Sequence, residues 1–210
     1  VDLSHPISTV VPSLDGPVLT VLARTTEPLT GRRIQQLAGA GSESGVRKVL
    51  LRLTETGLVG ASQAGASTLY LLNRQHIAAA TIEQLINLRQ RLIDRIHDAI
   101  ADWPTPPVHA SLFGSAARGE GGLDSDIDIL LIHENYPDLP PAEWADQVDD
   151  LAQQVYRWTG NRAQMYELSL SQLDEHLAAD EPIVAEWHRD AITVAGVDFR
   201  HIRTSQRDGR

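Results

Sequence analysis

The sequence contains no cysteine in its 210 residues. That excludes disulfides and thiolate metal sites, and it fits a reducing compartment. No apolar run approaches the roughly 20 residues of a membrane-spanning helix, and no basic, apolar, small-residue leader opens the chain. These two absences predict a soluble, cytoplasmic protein with no membrane partner. There is no internal repeat and no low-complexity tract. What is present is 42% hydrophobic residues, enough for the core of one large domain or two small ones.

The net charge of −10 argues against indiscriminate nucleic-acid binding. It is unevenly spread. Residues 1–76 hold seven Arg or Lys against five Asp or Glu, a balance of +2, whereas residues 77–210 hold eleven against twenty-three, a balance of −12. Two parts with different partners are expected. The Pro-rich "WPTPP" at 103–107 is the clearest stop, and a domain boundary is expected at or just before it.

Before that stop, "GPVLTVLART" reads as a short helix and "LTGRRIQQLAGA" as a second, with Thr30 as N-cap. "SESGVRKVLLRLTETGL" reads as a third, with Val46, Val49, Leu50 and Leu53 on one face and Arg47, Lys48 and Arg52 mostly on the other. "LVGASQAGASTLYLL" follows as two apolar runs around a Gly-containing turn, a β-hairpin. Three short helices and a hairpin, in that order, resemble a winged helix-turn-helix. The resemblance implies that the third helix enters the DNA major groove and the hairpin is the wing. Arg32, Arg33, Arg47, Lys48, Arg52 and Arg74 are then the candidate DNA contacts. The competing reading is a protein-interaction module.

From residue 78 to 101, Ile82, Leu85, Ile86, Leu92, Ile93, Ile96 and Ile100 recur at helical spacing. One long connecting helix is expected. Its apolar stripe packs either on the adjacent domain or on a second copy of the chain, as a homodimer.

Chemistry concentrates in "LFGSAARGEGGLDSDIDILLI", residues 112–132. A strand over 108–113 breaks at Gly114-Ser115 into the first turn of a helix, an arrangement of free N–H groups that suits a phosphate. After a glycine-rich loop comes a second strand, where period-two alternation places Asp126 and Asp128 on one face. Two such carboxylates repel each other unless a cation sits between them, and they suit Mg²⁺ in phosphoryl transfer.

Three other readings fail on the same letters. A calcium loop beginning at Asp124 has Ile129 where Gly is needed and Asn135 where Glu is needed. A P-loop needs Lys-Ser/Thr after Gly119 and finds Glu120-Gly121. The glycines also miss the dinucleotide fingerprint.

Phe113, Gly114-Ser115, ten residues, Asp126-Ile127-Asp128 and then "ILLI" resemble the signature of the nucleotidyltransferase superfamily, which includes DNA polymerase beta and kanamycin nucleotidyltransferase. The fuller segment looks like the minimal nucleotidyltransferases, among them the antitoxin partners of HEPN toxins. The resemblance implies that Gly114 and Ser115 grip the triphosphate of an NTP, with Arg118 assisting, and that Asp126 and Asp128 ligate Mg²⁺, with Mn²⁺ as its substitute. His109 and His133 read as structural, since nothing around them has metal-ligand spacing.

Active members of that superfamily add a third carboxylate from a neighbouring strand. The matching position in "NRAQMYELS", residues 161–169, is Gln164, after a helix over about 141–158. Glu167 lies three residues further and so faces the opposite side of that strand. With Ala163 and Met165 in the core, Gln164 and Tyr166 face the site and the third carboxylate is missing. A glutamine cannot act as a base.

The chain as a whole reads as α/β (α+β): a winged helix domain at 1–76, a connecting helix at 77–104, a nucleotidyltransferase-fold mixed sheet with C-terminal helices at 105–198 and a polar tail at 199–210. Residues 169–196 are expected to be helical, with Trp187 packed inward. Three functions follow from the resemblance. One is an enzyme that moves a nucleoside monophosphate from ATP or another NTP to a hydroxyl acceptor. Another is a DNA-binding regulator whose second domain senses nucleotide. The last is an antitoxin-like modifier of a toxin partner.

Overall fold

The computed structural model describes residues 1–136 and 140–202. Its contacts divide the chain into two units, one of Asp2 with Ser4–Leu88 and the other of Val1, Leu3 and Arg89 onward. Among the described residues no helix is long and apolar enough to cross a membrane.

The first unit runs α1 (Asp15–Ala23), β1 (Leu29–Thr30), α2 (Gly31–Ala38), α3 (Glu43–Glu55), β2 (Val59–Ala64), β3 (Ser67–Leu72) and α4 (Ala79–Ile86). The Thr30 side chain accepts a hydrogen bond from the Arg33 N–H and starts α2, and Gly39 ends it in the left-handed conformation. Ser42 caps α3 in the same way through the Gly45 N–H. Val18, Leu22, Ile34, Val46 and Leu50 are fully buried in one core. Each such side chain contributes about 1.5–3 kcal/mol through burial. β2 and β3 form an antiparallel hairpin that turns through Gly65 and Ala66, with Gly65 at φ 60° as a tight two-residue turn requires. The two-residue β1, which the sequence reading did not contain, pairs with the other edge of β3.

The single connecting helix is corrected. It is two helices, α4 and α5 (Leu88–Ala101), interrupted at Asn87. The stripe over 82–100 serves two cores: Ile82 and Ile86 pack with the first unit, whereas Leu92, Ile93, Ile96 and Ile100 pack with the second. The division of the chain therefore falls at 88/89, not at the proline run. That run lies within the second unit. Trp103 meets Trp144 edge to face at 5.7 Å, and Gln147 bonds both the N–H and the carbonyl of Thr105.

The second unit continues with β4 (His109–Phe113), α6 (Gly114–Arg118), β5 (Ile127–His133), α7 (Ala142–Thr159), β6 (Ala163–Ser169), α8 (Leu170–Ala178), α9 (Pro182–Asp190) and β7 (Ile192–Gly196). Its sheet has the order β6-β5-β4-β7, with β5–β6 parallel and the other pairs antiparallel. The central strands are covered on both faces. One face packs Leu112, Ile129 and Leu131 against Trp144, Val148, Leu151 and Val155 of α7, which recur at the three- and four-residue spacing of a helix stripe. The other packs Phe113, Leu130 and Ile132 against Leu173 of α8 and Val184 and Trp187 of α9.

Two C-terminal expectations change. Residues 192–196, expected to be helical, form the edge strand β7, which suits the β-branched run Ile192-Thr193-Val194. The expected tail does not begin at 199, because Phe199 and Ile202 are buried in the same core as Trp187. Residues 203–210 of that expected tail lie outside the described residues.

Candidate active site

Gly114 follows β4 at φ 66°, a left-handed conformation that favours glycine. A Cβ at this position would fall 2.3 Å from Asp128 Oδ2 and 3.2 Å from its Cγ. The pairing of Phe113 with Asp128 across β4 and β5 produces this approach. The Gly-Ser turn and the second aspartate, fourteen residues apart in the chain, are therefore in contact.

Asp126 is exposed in the residue just before β5, and Asp128 is half-buried on the face that carries Leu130 and Phe113. The intervening loop is fixed from below. The amide nitrogen of buried Asn161 donates to the carbonyls of Gly122, Leu123 and Ser125 at 2.9–3.2 Å, and the Ile127 N–H donates to the Arg162 carbonyl. Asp124 is an exposed loop residue. Ser115 is partly exposed, and its carbonyl accepts from the Glu120 N–H.

On the other side of Asp128, the parallel register pairs it with Gln164 of β6. Gln164 is exposed, and Ala163 and Met165 pack toward α7 while Tyr166 packs edge to face on Phe113. Glu167 points away, its carboxylate accepting the indole N–H of Trp144 at 2.8 Å. A carboxylate that sequence reasoning missed stands on α9: Glu186, exposed. Burial raises the Asp128 carboxyl above the usual carboxylate range, the charges of Asp126 and Glu186 push it the same way, and Arg118 opposes them.

Arg118 leaves the C-terminal turn of α6 to bond Glu120 Oε2 at 2.8 Å and Asp190 Oδ2 at 2.5 Å. Arg89 caps the same short helix through the Ala117 carbonyl. His109 is fully buried, with Nδ1 on the Val197 carbonyl at 2.7 Å and Nε2 on Ser111 Oγ at 2.9 Å. His133 is buried edge to face against Trp144. Both histidines are engaged in the fold.

The donor set for a metal ion is small. Among the described residues no group of three or more His, Asp or Glu converges as a metal cage. Two mutually repelling carboxylates beside a tight turn nevertheless fit Mg²⁺, which keeps several of its waters and is held by one or two carboxylates together with substrate phosphates.

In the first unit, Arg32, Arg33, Arg47 and Lys48 are exposed. A groove of about 540 Å³ is lined by Thr30, Arg32, Glu43, Arg47, Ser67 and Tyr70 among others. Arg32 and Glu43 are 3.9 Å apart, both largely in solvent, a pairing of little energetic weight. Two of the expected DNA contacts are otherwise engaged. Arg52 pairs with Asp15, and Arg74 bonds the carbonyls of Ala23 and Thr25 at 3.0 Å and approaches Glu83 at 3.3 Å.

No curated protein matches the chain. Among solved structures, the crystal structure of human N-acetylserotonin methyltransferase in complex with SAM is similar at 15% identity and a TM-score of 0.28, covering 49% of this chain and 31% of that one. A superposition this loose supports no conclusion about fold or activity. Residues 93–202, more than half of the chain and the whole of the sheet just described, match the family model of the nucleotidyltransferase domain, and the chain belongs to that family.

Proposed function

We propose that the protein is a Mg²⁺-dependent nucleotidyltransferase that moves a nucleoside monophosphate from an NTP, with ATP the first choice, to a hydroxyl acceptor. The observation that carries this is the contact of Asp128 with Gly114, which brings the second aspartate onto the Gly-Ser turn of a nucleotidyltransferase domain. Gly114 and Ser115 bind the triphosphate, with Arg118 beside them. Asp126 and Asp128 hold Mg²⁺ or Mn²⁺, which when bound neutralises the charge of the phosphates. The acceptor oxygen attacks the α-phosphorus in line, the bond to the β-phosphate oxygen breaks, and pyrophosphate leaves. The hydroxyl proton needs a base, which Gln164 cannot be. With Asp126 engaged in holding the metal, Glu186 is the other carboxylate whose charge acts on Asp128, and it takes the proton.

The first unit is read as a winged helix that binds DNA, with α3 as the recognition helix and β2–β3 as the wing. Its helix-strand-helix-helix-hairpin order and the exposed Arg32, Arg33, Arg47 and Lys48 support this. Exposed Gln164 beside Asp128 favours a second reading, a nucleotide sensor coupled to DNA binding without turnover. Incubation with ATP labelled at the α-phosphate separates the two. Label covalently transferred together with pyrophosphate release supports the enzyme, and bound, uncleaved ATP supports the sensor. No binding to parent protein ends both.

A further inference from the structure

The side chain of Asp190, the last residue of α9, is only 3% exposed although it lies beside two arginines that reach solvent. Its Oδ2 accepts from Arg118 Nη1 at 2.5 Å and from Arg189 Nη2 at 2.9 Å, and its Oδ1 accepts from Arg189 Nε at 2.8 Å. One carboxylate, covered by the guanidinium groups it binds, thus holds two arginines, one on the short helix after the Gly-Ser turn and one on α9. Their side chains remain 35% and 60% exposed.

A latch between α6 and α9 needs only one of these arginines. Held by Nε and Nη2, Arg189 has no partner among the described residues for its Nη1 donors, and Arg118 has none there for its Nη2 donors. Arg189 is joined to the aspartate site through Arg118, which shares Asp190 with it. Arg118 acts on Asp128, and Glu186, which also acts on Asp128, acts on Arg189. Guanidinium forks fixed in direction on one carboxylate lose little freedom when they bind a phosphate, which is the condition for planar, bidentate recognition.

We propose that Asp190 is a positioning residue that holds Arg118 and Arg189 as a paired clamp for the β- and γ-phosphates of the NTP. The proposal rests on the nucleotidyltransferase reading above and adds to it a second arginine and the carboxylate that orients both. It makes discrimination between triphosphate and monophosphate a property of α9.

Calorimetry of the full chain with Mg²⁺, comparing ATP with AMP, tests it in Arg189→Gln, Asp190→Asn and Asp190→Glu. Loss of one fixed charge-assisted contact predicts ATP binding about tenfold weaker in Arg189→Gln, with AMP affinity unchanged. Asp190→Asn should weaken ATP in the same selective way, and Asp190→Glu should recover part of the loss, which a purely structural role would not do. If Asp190→Asn fails to fold, Arg189→Gln decides, since that side chain is mostly in solvent. ATP affinity in Arg189→Gln within twofold of the parent, or equal losses for ATP and AMP, overturns the clamp while the parent's ATP binding leaves the site itself standing. A parent that binds no ATP overturns the site and the clamp together.

Discussion

Gly114 and Asp128 occupy each other's space so closely that any side chain at position 114 would collide with the aspartate carboxylate. Gly114→Ala should therefore cost more than the φ penalty alone. Gly119, also left-handed at φ 74° but with its Cβ direction in no more than ordinary contact with the Arg89 side chain at 3.9 Å, is the internal control. Gly119→Ala should lose about 1 kcal/mol in urea denaturation. Gly114→Ala should lose clearly more, and Asp128→Ala in the same chain should return part of that excess. Equal losses at 114 and 119 would show that the contact carries no strain.

Asp128 should titrate above an ordinary aspartate in metal-free protein, followed by carboxyl carbon NMR. Burial is the first cause, so Glu186→Gln lowers its pKa only part of the way, and Arg118→Gln raises it further. A raised folded-state pKa means that stability falls as pH rises through the window above the unfolded value. Asp128→Asn should consequently raise the melting temperature at neutral pH without Mg²⁺ while abolishing function. An Asp128 insensitive to Glu186→Gln would remove Glu186 from the site.

His109 gives a pH dependence of its own. Burial holds its imidazole below the usual value of about 6.5. Between that value and its lower folded-state pKa the unfolded chain binds the extra proton, so stability falls as the pH is lowered through this window and stops falling below it. His109→Gln should flatten the unfolding free energy from about pH 6.5 downward. A parent and variant with parallel profiles would contradict this.

Asn161 should prove as sensitive as the aspartates without touching substrate. Asn161→Ala leaves the carbonyls of Gly122, Leu123 and Ser125 without their shared donor, at about 1–3 kcal/mol, and should loosen the loop before Asp126. Asn161→Asp, which faces those carbonyls with acceptors only, should be worse. Faster amide exchange confined to 122–126 is the expected signature, and unchanged exchange there speaks against this positioning role.

DNA binding, measured against salt, should separate the arginines. Arg47→Ala and Lys48→Ala should each remove about one unit from the slope of log K against log salt. Arg52→Ala and Arg74→Ala should instead lower stability, because those side chains hold Asp15, Ala23, Thr25 and Glu83. A slope unchanged on removing Arg47 and Lys48 would sink the DNA reading.

The parts legible in the sequence were those whose signal is local. The Thr30 cap, the alternation placing Ile127 and Ile129 opposite Asp128, and the glycine at 114 each follow from neighbouring residues and backbone chemistry. The parity of Gln164 against Glu167 was also legible, because a strand admits only two faces. What was not legible depends on partners far away in the chain. Asn161 bonds carbonyls nearly forty residues earlier, Asp190 meets Arg118 across 72 residues, and nothing in "NRAQMY" or "AEWHRD" announces these contacts. The stripe over 82–100 reads as one helix because its period runs through Asn87. Only the two separate cores show why it breaks there.

The most direct test of the site is calorimetry of ATP with and without Mg²⁺ on the parent chain and on the chain carrying both Asp126→Asn and Asp128→Asn. Parent protein should bind ATP in a Mg²⁺-dependent manner, and the double variant should lose that dependence and most of the affinity. Equal binding by the two proteins would contradict the assignment of the carboxylate pair and the Gly-Ser turn as a nucleotide site.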